Sequence, residues 1–71
     1  MKIKNYNGFE LESKREVSCM GSDMIYISAF RISDGWCLED TFRDGSLTVR
    51  EGIKDLKLTV NDYLENPEDY D

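Results

Sequence analysis

The stretch 48–65, TVREGIKDLKLTVNDYLE, constrains the fold more than any other, because it alone is long and periodic enough to bury a continuous apolar stripe. Val49, Ile53, Leu56, Val60, Tyr63 and Leu64 recur at three- and four-residue spacing, the repeat of one helix face. Thr48, with Glu51 three positions on, forms a capping box that satisfies two otherwise free backbone donors. Gly52 falls on the apolar side, where the lack of a side chain lets the helix approach its neighbour closely. Asn66-Pro67 ends the helix, since the residue before a proline is pushed out of the helical region. A lone amphipathic helix must cover something apolar, so the preceding residues should supply a sheet.

Residues 1–17 read as a hairpin around Tyr6-Asn7-Gly8. A two-residue Asn-Gly loop would pair Tyr6 with Phe9 and Lys4 with Leu11, and would set Ile3 against Glu12. A three-residue loop with Gly8 left-handed instead pairs Asn5 with Phe9, Lys4 with Glu10, Ile3 with Leu11 and Lys2 with Glu12. Apolar then faces apolar and charge faces opposite charge, at roughly 0.2–1 kcal/mol per pair, so the longer loop is expected. The alternation weakens through SKREV, and SCMGSD breaks the chain. The run 24–32, MIYISAFRI, has apolar side chains on both faces, as a central strand does.

Ser33-Asp34-Gly35 repeats the chemistry of the first turn. As a three-residue loop it pairs Ile32 with Trp36, Phe30 with Leu38 and Tyr26 with Phe42, all on one face. Asp40 then lies opposite Ser28 among large apolar residues, where a carboxylate must be hydrogen-bonded, near the sheet margin or displaced by a bulge. The expected architecture is α+β: a four-stranded antiparallel meander and one C-terminal helix (ββββα). The helix is expected across the face bearing Tyr26, Phe30, Ile32, Trp36, Leu38 and Phe42. Residues 1–66 form the single domain, and 67–71 an acidic tail expected to fray.

A chain of 71 residues lies near the lower limit for a self-sufficient core, so an enclosed pocket would remove core it can barely spare. Surface binding is the better expectation. With 9 Lys+Arg against 15 Asp+Glu, the net charge of −6 opposes direct nucleic-acid binding and favours a basic protein partner. Residues 1–20 carry four bases and three acids, whereas 21–71 carry five bases and twelve acids, so the acidity belongs to the later part. No apolar run reaches the roughly 18 residues of a membrane span, and the opening MKIKNYNG has no signal-like apolar segment; a cytoplasmic, membrane-free protein is expected. Cys19 and Cys37 have neither CxxC spacing nor metal-ligand company and read as buried free thiols.

Histidine is absent, which removes Ser/His and Cys/His nucleophile pairs, and no glycine-rich loop has phosphate-cradling spacing. No catalytic residue, cofactor or metal site is expected, and the chain reads as non-enzymatic. Two surfaces remain. Ile25, Ile27 and Ala29 occupy the sheet's second face, with no second helix to cover them, and offer a homodimer or partner face. After Lys57 there is no further base, and Asp62, Glu65, Glu68, Asp69 and Asp71 gather at the helix end with Tyr63 and Tyr70 between them. That end opposes the helix dipole and offers an electrostatic contact for a basic partner.

The helix start Thr48-Val49-Arg50-Glu51-Gly52-Ile53, arriving after antiparallel strands, resembles the β-β-β-α half of HicB-type antitoxins over residues 24–65. In that family a Thr-x-Glu-Glu-small-apolar run opens the helix; here Arg50 replaces the first acid and no DNA-binding segment follows. The resemblance implies neutralising a toxic RNase by direct contact. In composition, being short, acidic, histidine-free and strand-rich before a helix, the chain also resembles phage- and mobile-element-encoded inhibitors of host defence, anti-CRISPR proteins among them. Both likenesses imply an inhibitor whose acidic surface covers a basic, nucleic-acid-handling protein. A homo-oligomerising accessory domain is the alternative from a different class.

Overall fold

In the computed structural model, which describes residues 1–17 and 19–70, four antiparallel strands pair in sequence order: β1 (Lys2–Tyr6), β2 (Phe9–Val17), β3 (Asp23–Arg31) and β4 (Cys37–Asp44). The single helix α1 (Val49–Glu65) follows, giving the expected ββββα arrangement. Thr48 caps α1 through the expected box: its hydroxyl accepts from the Glu51 N–H, and its own N–H donates to the Glu51 carboxylate at 2.8 Å. No helix of the described residues is long and apolar enough to cross a membrane.

The helix covers the opposite face from the one expected. Ile25, Ile27 and Ala29 are buried beneath it, at 0%, 1% and 0% exposure, so they are core and not a dimer face. The reason lies in β2. Its pairing sets Leu11 beside Ala29 and Ser13 beside Ile27, so Phe9 and Leu11 share the β3 face of Ile25, Ile27 and Ala29. Ile53, Leu56 and Val60 close over that face, burying Phe9 and Leu11 with them. The other face is charged on its first two strands, where Lys2 lies 3.6 Å from Glu10 and 3.9 Å from Glu12, and Lys14 lies 3.3 Å from Glu16. Burying those ions would require desolvating them, whereas burying the Phe9–Leu11 side removes apolar surface from water. Leu64, expected in the buried stripe, is instead 49% exposed.

Small residues let the helix sit low. Gly52 is buried against Ser13 and Ile27, and Arg15 donates to the carbonyls of Gly45 and Leu47 (3.1 and 2.9 Å), tying down the segment that leads into α1.

The first hairpin combines features of the two loop readings, and the second departs from the expected loop but recovers the expected register. Asn7 (φ 51°) and Gly8 (φ 91°) make the two-residue turn, with Tyr6 opposite Phe9. The ladder shifts register between Ile3 and Tyr6, so that Ile3 still meets Leu11 and Lys2 still meets Glu12. In the second hairpin the Arg31 N–H donates to the Trp36 carbonyl, so the connection is the four residues 32–35 and not the expected three. Phe30 meets Cys37 in place of Leu38, and a bulge restores the expected pairs Ser28–Asp40 and Tyr26–Phe42. Trp36 and Leu38 therefore pack on the helix side, while Phe42 stays on the uncovered face. Asp40 is hydrogen-bonded there, accepting from the Tyr26 hydroxyl at 2.5 Å.

Candidate functional site: the turn end

Both hairpin turns and the C-terminus of α1 meet at one end of the molecule. The Ile32 N–H donates to the Gly8 carbonyl at 2.9 Å, joining the two turns, and Tyr6 reaches Asn61 of the helix at 3.1 Å. Tyr63 is the hub. Its ring packs on Phe9 (5.7 Å between centroids), Trp36 (5.2 Å) and Tyr70 (5.6 Å), and its hydroxyl accepts from Arg31 at 2.9 Å.

Beyond α1 the chain does not fray as expected. Residues Pro67–Tyr70 form a 3-10 helix that folds back on the end of α1. The Asn66 N–H donates to the Asp62 carbonyl, and the Asp69 N–H to the Asn66 carbonyl. Backbone N–H groups thus take over where a basic side chain would ordinarily satisfy the helix end. Tyr70 lays its ring against Tyr63 and donates its hydroxyl to the Asp62 carboxylate. That hydrogen bond, with burial and the nearby carboxylates of Asp62, Asp69 and Glu39, raises the Tyr70 phenol above its ordinary range.

The β4 side of this end is therefore acidic and aromatic. Asp62, Tyr63, Glu65, Glu68, Asp69 and Tyr70, expected together from sequence, do converge here; Asp71 lies outside the described residues. Glu39 joins them, brought near Tyr70 by the bulge in β4, which no local sequence pattern marks. Tyr63 is a packing hub, in keeping with its place in the apolar stripe. Among the described residues no cation pairs with Asp62, Glu65, Glu68 or Asp69. Arg31, the base at the centre of this end, is already engaged: its fork meets Asp34 at 2.9 and 2.6 Å, and it lies 5.0 Å over the Trp36 ring. The Arg31 hydrogen bond, with the Trp36 N–H, lowers Asp34 to about 2.

The β1 side is apolar. Phe9, Ile32, Tyr63 and Leu64, with Arg31 among them, line a groove of about 480 Å³ whose rim includes Asn5 and Asn7. Ile32 and Leu64 are about half exposed, at 51% and 49%. Helical periodicity places Leu64 in the buried stripe and the three-residue loop places Ile32 on the helix-facing side, but under the last helical turn Tyr63 packs on Phe9, Trp36 and Tyr70 instead. An apolar groove beside unpaired carboxylates is suited to a protein surface offering an apolar side chain flanked by bases.

Cys19 and Cys37 are unbridged but exposed, not buried. Desolvation and the carboxylates of Asp40 and Glu39 raise the Cys37 thiol, which keeps it protonated and weakly nucleophilic. Compared with known proteins, the chain matches no family model, no curated protein and no solved structure, so the reading of this end rests on its own geometry.

Proposed function

We propose that this is a small non-enzymatic binding protein, an inhibitor of mobile-element type, whose turn end covers a basic surface of a nucleic-acid-processing protein. The observation that carries the reading is that one end of the molecule holds both the Ile32–Leu64 groove and, on its β4 side, the carboxylates of Asp62, Glu65, Glu68 and Asp69, which no cation of the described residues neutralises. The groove supplies an apolar anchor point. The carboxylates supply steering and register, since rim charges act mainly on association rate and salt dependence. A surface that ordinarily receives phosphates accepts such carboxylates for the same electrostatic reason. Occlusion is steric, and no chemistry on the partner is required.

The test is affinity capture from the native host with three baits: the full chain, D62K/E65K, and L64D. A protein of basic pI should be recovered by the full chain at low salt, reduced at high salt, and lost with either variant. Equal recovery by all three baits, or no specific protein at either salt, overturns the proposal.

A further inference from the structure

The two edges of the sheet are not alike. β1 spans five residues, carries Lys2 and Lys4 and is interrupted by a register shift, features that blunt an edge against pairing. β4 is longer, and its register is regular from Glu39 to Asp44. Among the described residues no backbone hydrogen bond beyond the β3 ladder reaches positions 38–43, and the Glu39 carbonyl takes only a weak thiol donor, Cys37 Sγ at 3.4 Å. The edge is charged, which on its own would guard it. Its charges, however, have an order.

We propose that β4 is the contact surface for a second copy of this chain, paired antiparallel about Thr41 to make one continuous eight-stranded sheet. This inference does not rest on the binding role assigned to the turn end, although the two surfaces share Glu39 at their border. A two-fold axis relating neighbouring antiparallel strands runs normal to the sheet, so it keeps both helices on one side and pairs helix-side residues only with helix-side residues. Centring the axis on Asp40 sets that carboxylate against its own copy, and centring on Phe42 sets Asp40 against Asp44. Centring on Glu39 or Arg43 faces like with like again. Asp44 as centre faces itself, so of the registers centred within the regular stretch from Glu39 to Asp44 only the Thr41-centred one avoids like charges face to face, which are destabilising in a ladder.

That register is also complementary. Glu39 faces Arg43 of the second copy, and Arg43, whose Nε also lies 3.6 Å from Asp55 of its own helix, faces the second copy's Glu39, on the helix side. On the uncovered face Phe42, 51% exposed, faces Asp40 of the second copy, whose carboxylate accepts from Tyr26, and lies diagonal to its own copy. Diagonal neighbours are within reach of aromatic side chains. Tyr26, 5.3 Å from Phe42, then extends the strip on each side. At 0.15 M salt the Debye length of about 8 Å screens most of the long-range repulsion between two chains of charge −6, leaving the contact pairs in control. The interface is small, so association belongs to about the tens-of-micromolar range.

Sedimentation equilibrium from about 1 to about 500 µM tests this. The native chain should show a monomer–dimer equilibrium. R43E and E39R should each weaken it about tenfold or more, because each places like charges opposite one another twice. The double swap E39R/R43E restores complementarity and should return to within about threefold of the native constant. A monomer throughout, indifference to the single reversals, or failure of a natively folded double swap overturns the proposal. Should a reversal unfold the chain, cysteine-free C19S/C37S protein bearing T41C decides: it should crosslink to itself on mild oxidation, while D44C in the same background should not. Absence of the T41C crosslink, or an equal one at D44C, also overturns it.

Discussion

Ser13 shows how closely the helix and sheet are fitted at single residues. Its side chain is fully buried with no hydrogen-bond partner for the hydroxyl among the described residues, and a Cβ added at Gly52 would stand 2.3 Å from that hydroxyl and 3.1 Å from Ile27 Cγ2. The helix therefore requires glycine here for space, not for backbone conformation. G52A should destabilise the fold by about 1–3 kcal/mol through overpacking. S13A should be neutral or stabilising, since it removes an unsatisfied buried group. In an S13A background the G52A penalty should shrink without vanishing, because Ile27 stays close; urea unfolding of the four-member cycle measures all three effects. Asp34 gives a pH prediction. Its folded value, about 2, lies below the ordinary 3.8, so the stabilisation it lends is present above the unfolded value and lost as pH falls toward 2. The turn end should loosen over that acid window, seen as a change in Trp36 emission, and D34N should remove the transition. The capping box was legible because its partners are three residues apart in sequence. Ser13 was not, because its burial depends on which face the helix chooses.

At the level of elements, the hairpins separate two kinds of information. Turn geometry follows local residues: Asn7-Gly8 takes a two-residue turn because both positions accept positive φ. Register further along follows the side chains that must share a face, and a one-residue irregularity reconciles the two. Reading either hairpin as turn alone or face alone gave half of it. The bulge leads to an unusual expectation. Deleting Leu38 should leave downstream pairing intact, because Cys37 already meets Phe30 and the next residue would meet Ala29 directly. The loss should be limited to about 1–2 kcal/mol of packing by a half-buried side chain. Deleting Ala29 from the central strand should abolish cooperative unfolding, since half of β3 would turn its apolar side chains to water. Thermal melts followed by circular dichroism compare the two. The choice of helix face was misjudged from the second hairpin, whose residues are apolar on both sides. The deciding signal was in the first, where Phe9 and Leu11 alternate with Glu10 and Glu12.

Over the whole molecule, the surfaces proposed for partner binding and for self-association are centred in different regions and meet at Glu39. The turn end gathers the groove and the acidic helix terminus, whereas the middle of β4 carries the self-complementary charges. Antiparallel pairing about Thr41 would send two turn ends in opposite directions, so a dimer would offer two separate binding ends and not one enlarged site. The acidic residues were legible from sequence because they are consecutive near the C-terminus. The groove was not, since it joins Ile32 and Leu64 across half the chain. The packing of Trp36 has a practical consequence: the chain's one tryptophan contacts both Arg31 and Tyr63 at the turn end, away from the two-fold axis at Thr41. Its intrinsic fluorescence is a built-in optical probe that should respond to a ligand in the groove and stay silent on dimerisation, so each event can be titrated without a dye or a tag.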